Sequence, residues 1–134
     1  MKQIKLIVAV MILWASVAPA EAHLGSKVTI CIPYYQGARC ARGEAAPSYQ
    51  YGDTVVVKGH AKPEHDGIVR IKRRKGHSPW IVVARVALDG DGHYRYAWQT
   101  HRSDADQNTP YKFKTLLPQH DVSPTQKVLV LYGE

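Results

Sequence analysis

Seven histidines are spread along the chain, and one of them, His23, can become the first residue of a processed protein. In the stretch "APAEAHLGS", small residues permit cleavage after Ala20, which leaves Glu21 first, or after Ala22, which leaves His23 first. An N-terminal histidine offers an amine nitrogen and a ring nitrogen, and a second imidazole completes a nitrogen set that suits Cu(II). The candidate metal ligands are therefore His23 together with His60, His65 or His120.

A second group of residues offers positive charge. Basic side chains alternate with apolar ones in "GIVRIKRR" and "YKFKT", and a further arginine lies in "WIVVARVAL". Residues two apart in a β-strand share a face, so burial of the apolar set turns the basic set toward solvent. The alternative to a binding role is that these cations keep a sheet soluble and prevent edge-to-edge aggregation. The candidate binding residues for an anionic ligand are Arg70, Lys72, Arg74, Arg85, Lys112 and Lys114.

The chain has two cysteines and a formal net charge of +7. Cys31 and Cys40 enclose the loop "IPYYQGAR", and in an oxidising compartment the default is one disulfide between them. A thiolate metal site is the weaker alternative, because structural zinc sites use paired C-x-x-C spacing and four ligands. The charge favours acidic partners such as anionic polysaccharide, lipid headgroups or nucleic acid, without specifying an activity.

The N-terminal segment is typical of a secretory signal. Lys2 and Lys5 precede the uncharged run "LIVAVMILWASVA", which has the length of a signal h-region. A bilayer span needs about 20 apolar residues, and Pro19 and Glu21 interrupt the run before that length is reached. We therefore expect residues 1–22 to be removed. The remaining protein is expected to be secreted, extracellular or periplasmic, with no membrane span.

After this segment, apolar residues alternate in short runs without helical periodicity, which indicates an all-β chain. Turn residues separate the runs at Asp66-Gly67, at Gly76-His77-Ser78-Pro79 and at Asp89-Gly90-Asp91-Gly92. Seven short strands in a chain of this length are typical of a two-sheet sandwich with Greek-key connections. The seven runs are "KVTICI", "TVVVKGH", "GIVRIKRR", "WIVVARVAL", "HYRYAWQ", "YKFKTLL" and "KVLVLYG".

The stretch from "YGDTVVVKGH" to "HYRYAW", followed by "TPYKFKTLLP", resembles the bacterial immunoglobulin-like domains of secreted and cell-surface proteins. The shared pattern is a strand ending in Gly, a "G-x-V-x-I-x-R" strand, a Trp-led strand, an Asp-Gly turn into an aromatic strand, and a "Y-x-F" strand. The resemblance implies an all-β, seven-stranded immunoglobulin-like Greek-key sandwich after the signal segment, with the immunoglobulin-like domain over residues 51–134. Residues 23–50 are then an N-terminal extension that carries the first strand and the disulfide loop.

The resemblance also has two consequences for individual residues. It makes the strand of Arg70 and the strand of Lys112 neighbours in one sheet, so that their cations form a single basic face. Opposed like charges destabilise a sheet by about a few tenths of a kcal/mol per pair, and a cluster that persists despite this cost favours a polyanionic ligand. Tyr111 and Phe113 stand where antibody-type domains place Tyr and Cys, so no inter-sheet disulfide is implied.

Alternation within the predicted strands also assigns the core. Trp80 begins its strand beside Pro79, so it is the core residue most able to lie at an edge. The alternative for the aromatic residues is an exposed platform for sugars. The predicted core residues are Val55, Val57, Val69, Ile71, Trp80, Val82, Ala84, Val86, Tyr94, Tyr96, Trp98, Tyr111, Phe113, Val128 and Val130.

The turn "LDGDGHY" places Asp89 and Asp91 beside glycines. A calcium loop would need further oxygen ligands at fixed offsets and a closing glutamate, which the sequence does not supply. Asp-Gly provides the positive φ that a tight hairpin needs, so the segment is predicted to be a hairpin turn.

Signatures of ordinary hydrolases are absent from the sequence. There is no G-x-S-x-G, and no cysteine is free to act as a nucleophile if the disulfide forms. Nothing resembles a groove-reading helix or a base-stacking motif, so nucleic acid is not the favoured partner. We therefore predict a secreted, non-catalytic binding or adhesion module without a cofactor, whose partner is an anionic polysaccharide, a cell-surface polymer or another protein. A secreted copper-binding protein that uses His23 is the alternative.

The copper hypothesis makes a direct prediction. A mature chain that starts at His23 takes up one Cu(II), and one extra residue placed before His23 abolishes the uptake because the terminal amine moves away from the imidazole. Intact mass spectrometry of the secreted protein with and without Cu(II) measures both the start and the uptake. A start at Glu21, or no retained copper, contradicts the hypothesis.

Overall fold

The computed structural model describes residues 27–62, 67–119 and 121–133, so the predicted signal segment 1–22 lies outside the described residues. Within the described residues the chain forms nine β-strands in two sheets, one 3₁₀ turn at Arg102–Asp104 and no α-helix. The prediction of an all-β chain with two sheets is confirmed. The strands are β1 (Lys27–Val28), β2 (Ser48–Gln50), β3 (Thr54–Lys62), β4 (Ile68–Lys75), β5 (Ile81–Ala87), β6 (His93–Gln99), β7 (Tyr111–Leu117), β8 (Asp121–Val122) and β9 (Gln126–Leu131).

The two sheets differ in size. One has three antiparallel strands in the order β1-β3-β6. The other has six strands: five follow the order β2-β9-β7-β4-β5, and β8 pairs with β7. β2 runs parallel to β9, and the remaining pairs of this sheet are antiparallel. The short strands β1 and β2 therefore join the segment that precedes β3 to both sheets.

A single apolar core lies between the sheets. Phe113 of β7 is fully buried, and the ring of Trp98 from β6 lies 5.6 Å from the Phe113 ring and 4.9 Å from the Tyr111 ring. Removal of these apolar surfaces from water is the main force that holds the two sheets together. The other fully buried apolar side chains are Ile32 from the disulfide loop, Val55, Val57 and Ala61 from the three-stranded sheet, and Val69, Ile71, Val128 and Val130 from the six-stranded sheet.

Most predicted strands lie close to their expected limits. β6 and β7 coincide with "HYRYAWQ" and "YKFKTLL". The sequence did not indicate β2 and β8, because strands of two or three residues are too short to show alternation. The prediction of a hairpin at Asp89 to Gly92 is wrong. The segment is a turn, but β5 belongs to the six-stranded sheet and β6 to the three-stranded sheet, so the turn connects the two sheets and the two strands form no ladder.

The core prediction is wrong at Trp80 and Val82. β4 pairs Ile71 with Ala84 and then Lys72 with Val82, which leaves Val83 as an extra residue on β5. A bulge of this kind reverses the side-chain alternation between its two sides, so Trp80 and Val82, which precede Val83, no longer face the same way as Ala84 and Val86. Val83 accordingly packs against the core, whereas Val82 is 40% exposed. The prediction assumed an unbroken period of two, so it fails on the far side of the bulge.

The N-terminal part of the described chain is tied to β3. The backbone N–H of Thr29 donates to the carbonyl of His60 at 2.9 Å, and the N–H of Lys58 donates to the carbonyl of Cys31 at 3.0 Å. The sulfur atoms of Cys31 and Cys40 lie 2.02 Å apart, which confirms the predicted pair. The disulfide thus closes its loop directly beside β3.

Gly59 lies where this N-terminal segment comes closest to β3. A Cβ atom at this position would lie 2.1 Å from the carbonyl oxygen of Thr29 and 2.7 Å from the hydroxyl oxygen of Tyr94. The Tyr94 hydroxyl also donates to that carbonyl at 2.6 Å, so the carbonyl is held in place. Only glycine fits this crossing without a shift of the backbone.

Replacement of Gly59 tests this close packing. We expect Gly59→Ala to lower the free energy of unfolding by about 1–3 kcal/mol, because the added methyl group forces two hydrogen-bonded backbone segments apart. Urea unfolding measures the loss. The matched control is Gly90→Ala in the turn before β6, where an added Cβ meets no atom within 4 Å. Equal stabilities of the two variants would contradict the prediction.

Candidate binding face

The structure brings the six predicted cations together on three neighbouring strands. β5, β4 and β7 are adjacent in the six-stranded sheet. Their register sets three pairs of cations directly opposite one another: Lys72 with Lys114, Arg74 with Lys112, and Arg70 with Arg85. These six residues are called the basic face.

Burial on the other side of the same strands explains this arrangement. Val69 and Ile71 of β4 and Phe113 of β7 are fully buried against the three-stranded sheet. Residues two apart in a strand share a face, so the intervening cations must project from the outer surface of the sheet. The exposed or partly exposed positions of all six side chains agree with this placement.

Two cations of the run "IKRRK" do not belong to the basic face. The guanidinium of Arg73 lies 4.5 Å from the centre of the ring of Trp98, a buried core residue, and forms a cation–π contact with it. The ammonium of Lys75 lies 3.1 Å from a carboxylate oxygen of Asp106. This hydrogen bond raises the pKa of Lys75. Both charges are therefore held by other parts of the fold.

The basic face lacks matching acids. In the part of the chain that the structure describes, none of its six residues forms an ion pair. Glu44 lies at the β9 margin, where it pairs with Lys127, which is directly opposite Lys112. Its hydrogen bond to Lys127 holds the pKa of Glu44 below the ordinary value, and the charge of Lys112 acts in the same direction. Glu44 is thus held by Lys127 and forms no ion pair with the six residues of the basic face.

Trp80 lies on the basic face instead of in the core. The centre of its ring is 4.7 Å from the guanidinium carbon of Arg74 and 4.3 Å from the ammonium of Lys114. Nε of Arg74 is buried and has no protein hydrogen-bond partner within the described residues. The surface therefore combines an aromatic ring with cations. The only sequence signal for this position was its place beside Pro79 at the start of a strand.

Of the four predicted metal ligands, the structure describes only His60. His23, His65 and His120 lie outside the described residues, so the copper ligand set stays a prediction. His60 lies on β3, where its Nδ1 is 3.1 Å from Oγ1 of Thr29. Its ring centre is 5.4 Å from that of His93 on β6, a residue that was not among the predicted ligands.

No protein-family model matches the chain, and no curated protein has a matching sequence. Over the residues that the structure describes, no helix has both the length and the apolar character needed to cross a membrane.

Mutual repulsion within the basic face yields a stability prediction. The double change Lys72→Gln and Lys112→Gln relieves the opposed pairs of these lysines with Lys114, Arg74 and Lys127. We expect the free energy of unfolding to rise by about 1 kcal/mol at low salt. The gain should shrink in 1 M salt, where the Debye length is about 3 Å.

Urea unfolding at both salt concentrations measures this gain. The control is the double change Arg39→Gln and Arg42→Gln in the exposed disulfide region, which alters the net charge equally and relieves no directly opposed strand pair. An equal gain in the control would show that net charge alone, and not cross-strand repulsion, is responsible.

Proposed function

We propose that this protein is a secreted, non-catalytic binding module that holds an anionic polysaccharide or related cell-surface polymer against the basic face. The observation that carries the proposal is the set of three directly opposed cation pairs, none of which forms an ion pair with a described acid. Opposed like charges lower the stability of a sheet. A bound polyanion offsets this repulsion, so the opposed cations are suited to bind one.

The spacing of the charges favours a polymer over a small anion. Neighbouring strands lie about 4.8 Å apart, and residues two apart on one strand are separated by about 7 Å. The cations are therefore spread over a surface three strands wide and do not converge on one point. Trp80 adds an apolar ring between Arg74 and Lys114, against which the ring of a sugar can pack.

We also propose that the domain has the immunoglobulin-like topology that the sequence resembles. The sheet assignments support this: apart from the short strands β2 and β8, the first, second and fifth strands form one sheet and the other four form the second. The Tyr111 hydroxyl donates to the carbonyl of Asp104 at 2.8 Å, which resembles the tyrosine corner of immunoglobulin domains. Phe113, two residues later, packs in the core where antibody domains have a cysteine.

Secretion is part of the same proposal. The signal-like segment at residues 1–22 supports it, and so does the Cys31–Cys40 pair, because disulfides persist in oxidising compartments.

Binding to heparin, used as a sulfated polysaccharide probe, tests the function. The face variant carries Gln at residues 70, 72, 112 and 114. We expect it to bind heparin about tenfold more weakly, a loss of ~1.4 kcal/mol, and we expect binding by the unmodified protein to weaken as salt rises. Isothermal titration calorimetry at two salt concentrations measures both effects.

A charge-matched variant is the control for this experiment. It carries Gln at Lys27, Arg39, Arg42 and Lys58, which lie away from the basic face and include no two residues directly opposite one another. We expect its affinity for heparin to stay close to that of the unmodified protein. Equal losses in the two variants would overturn the proposal, because they would assign binding to net charge. Tighter binding of poly-aspartate than of heparin would instead indicate an acidic protein as the partner.

A further inference from the structure

A groove on the three-stranded sheet, distinct from the basic face, has metal-binding side chains along it. Its volume is about 940 Å³, and Thr29, His60, Asp89 and His93 are among its lining residues. These residues come from three separate parts of the chain: the segment after β1, the end of β3, and the turn that leads into β6.

The turn supplies three potential ligand atoms at short range. One ligand atom each from Asp89, Asp91 and His93 lie within 4.8 Å of one another. Oδ1 of Asp89 accepts hydrogen bonds from the backbone N–H groups of Asp91 and His93, both at 2.9 Å, so its carboxylate is held in place. Nδ1 of His93 is 3.8 Å from the same oxygen. Two carboxylates and one imidazole therefore lie close to one another.

His60 supplies a fourth potential ligand from the neighbouring strand. It is directly opposite His93 in the β3–β6 register, and the two ring centres are 5.4 Å apart. Oγ1 of Thr29 donates to the His60 carbonyl at 3.3 Å and accepts the His60 backbone N–H at 3.0 Å. Nδ1 of His60 lies 3.1 Å from the same Oγ1. In the tautomer that carries the ring proton on Nδ1, the hydroxyl oxygen accepts that proton and Nε2 keeps a free lone pair.

We propose that one Zn²⁺ ion binds at the rim of the groove through His93, Asp89 and the adjoining Asp91, with Nε2 of His60 as the fourth ligand. Zinc takes four nitrogen, oxygen or sulfur ligands at about 2.0–2.3 Å, which puts the ligand atoms about 3.5 Å from one another. The ligand atoms of Asp89, Asp91 and His93 lie within 4.8 Å of one another, and the His60 side chain must rotate toward them to complete the set. Calcium prefers six to eight oxygen ligands, so a set with two imidazoles favours zinc. Thr29 acts as a positioning residue, because a ligating histidine commonly donates its other ring N–H to an acceptor.

Zinc titration of the purified full chain by calorimetry tests the site. We expect His93→Ala and Asp91→Asn each to weaken Zn²⁺ binding at this site by tenfold or more. Thr29→Ala should weaken it about tenfold through the loss of His60 orientation, whereas Thr29→Ser, which keeps the hydroxyl, should not. Bound zinc should also raise the urea midpoint of the unmodified protein, and this shift should be lost in His93→Ala. Far-UV circular dichroism of each variant before titration verifies that it is folded.

Three control variants separate this site from other histidines. His77→Ala and His101→Ala remove exposed imidazoles elsewhere, and zinc affinity should be unchanged in both. The double change His65→Ala and His120→Ala should also leave the site intact. Loss of zinc in that double variant with retention in His93→Ala would overturn the proposal, as would an unmodified protein that binds no zinc.

Discussion

Burial of one face of β4 and β7 is the constraint on which the rest of the structure depends. Val69, Ile71 and Phe113 are fully buried because the three-stranded sheet covers them. Full burial of such a side chain stabilises the fold by about 1.5–3 kcal/mol, whereas opposed cations on a sheet cost about a few tenths of a kcal/mol per pair. The hydrophobic term is larger, so it decides which way both strands face. The cations then have no place except the outer surface.

Trp80 lies on the outer surface of the six-stranded sheet because β5 contains a bulge. The bulge at Val83 reverses the side-chain alternation at the start of β5 and takes Val82 out of the core. Trp80 then lies among the cations, in contact with Arg74 and Lys114. Cation–π contacts give both charged side chains a packing partner without neutralising them, so the surface remains available to an anion.

The opposite sheet depends on a different contact, the close approach of the N-terminal segment to β3. Gly59 permits this approach, and the Cys31–Cys40 disulfide closes the loop beside it. Thr29 takes part twice: its carbonyl accepts from Tyr94, and its hydroxyl orients His60. The same packing that joins the segment to the sandwich therefore also arranges the histidine side of the groove.

The sequence by itself determined what depends on local alternation and on pairing over a short separation. It indicated the all-β class, the limits of β6 and β7, the outward direction of the six cations and the cysteine pair, because a period of two and a nine-residue spacing are visible along the chain. Only the tertiary structure decided the position of Trp80, the short strands β2 and β8, and the meeting of His60 with His93. The physical reason is that strand register and bulges are set by contacts between distant segments, and those contacts leave no local pattern in the sequence.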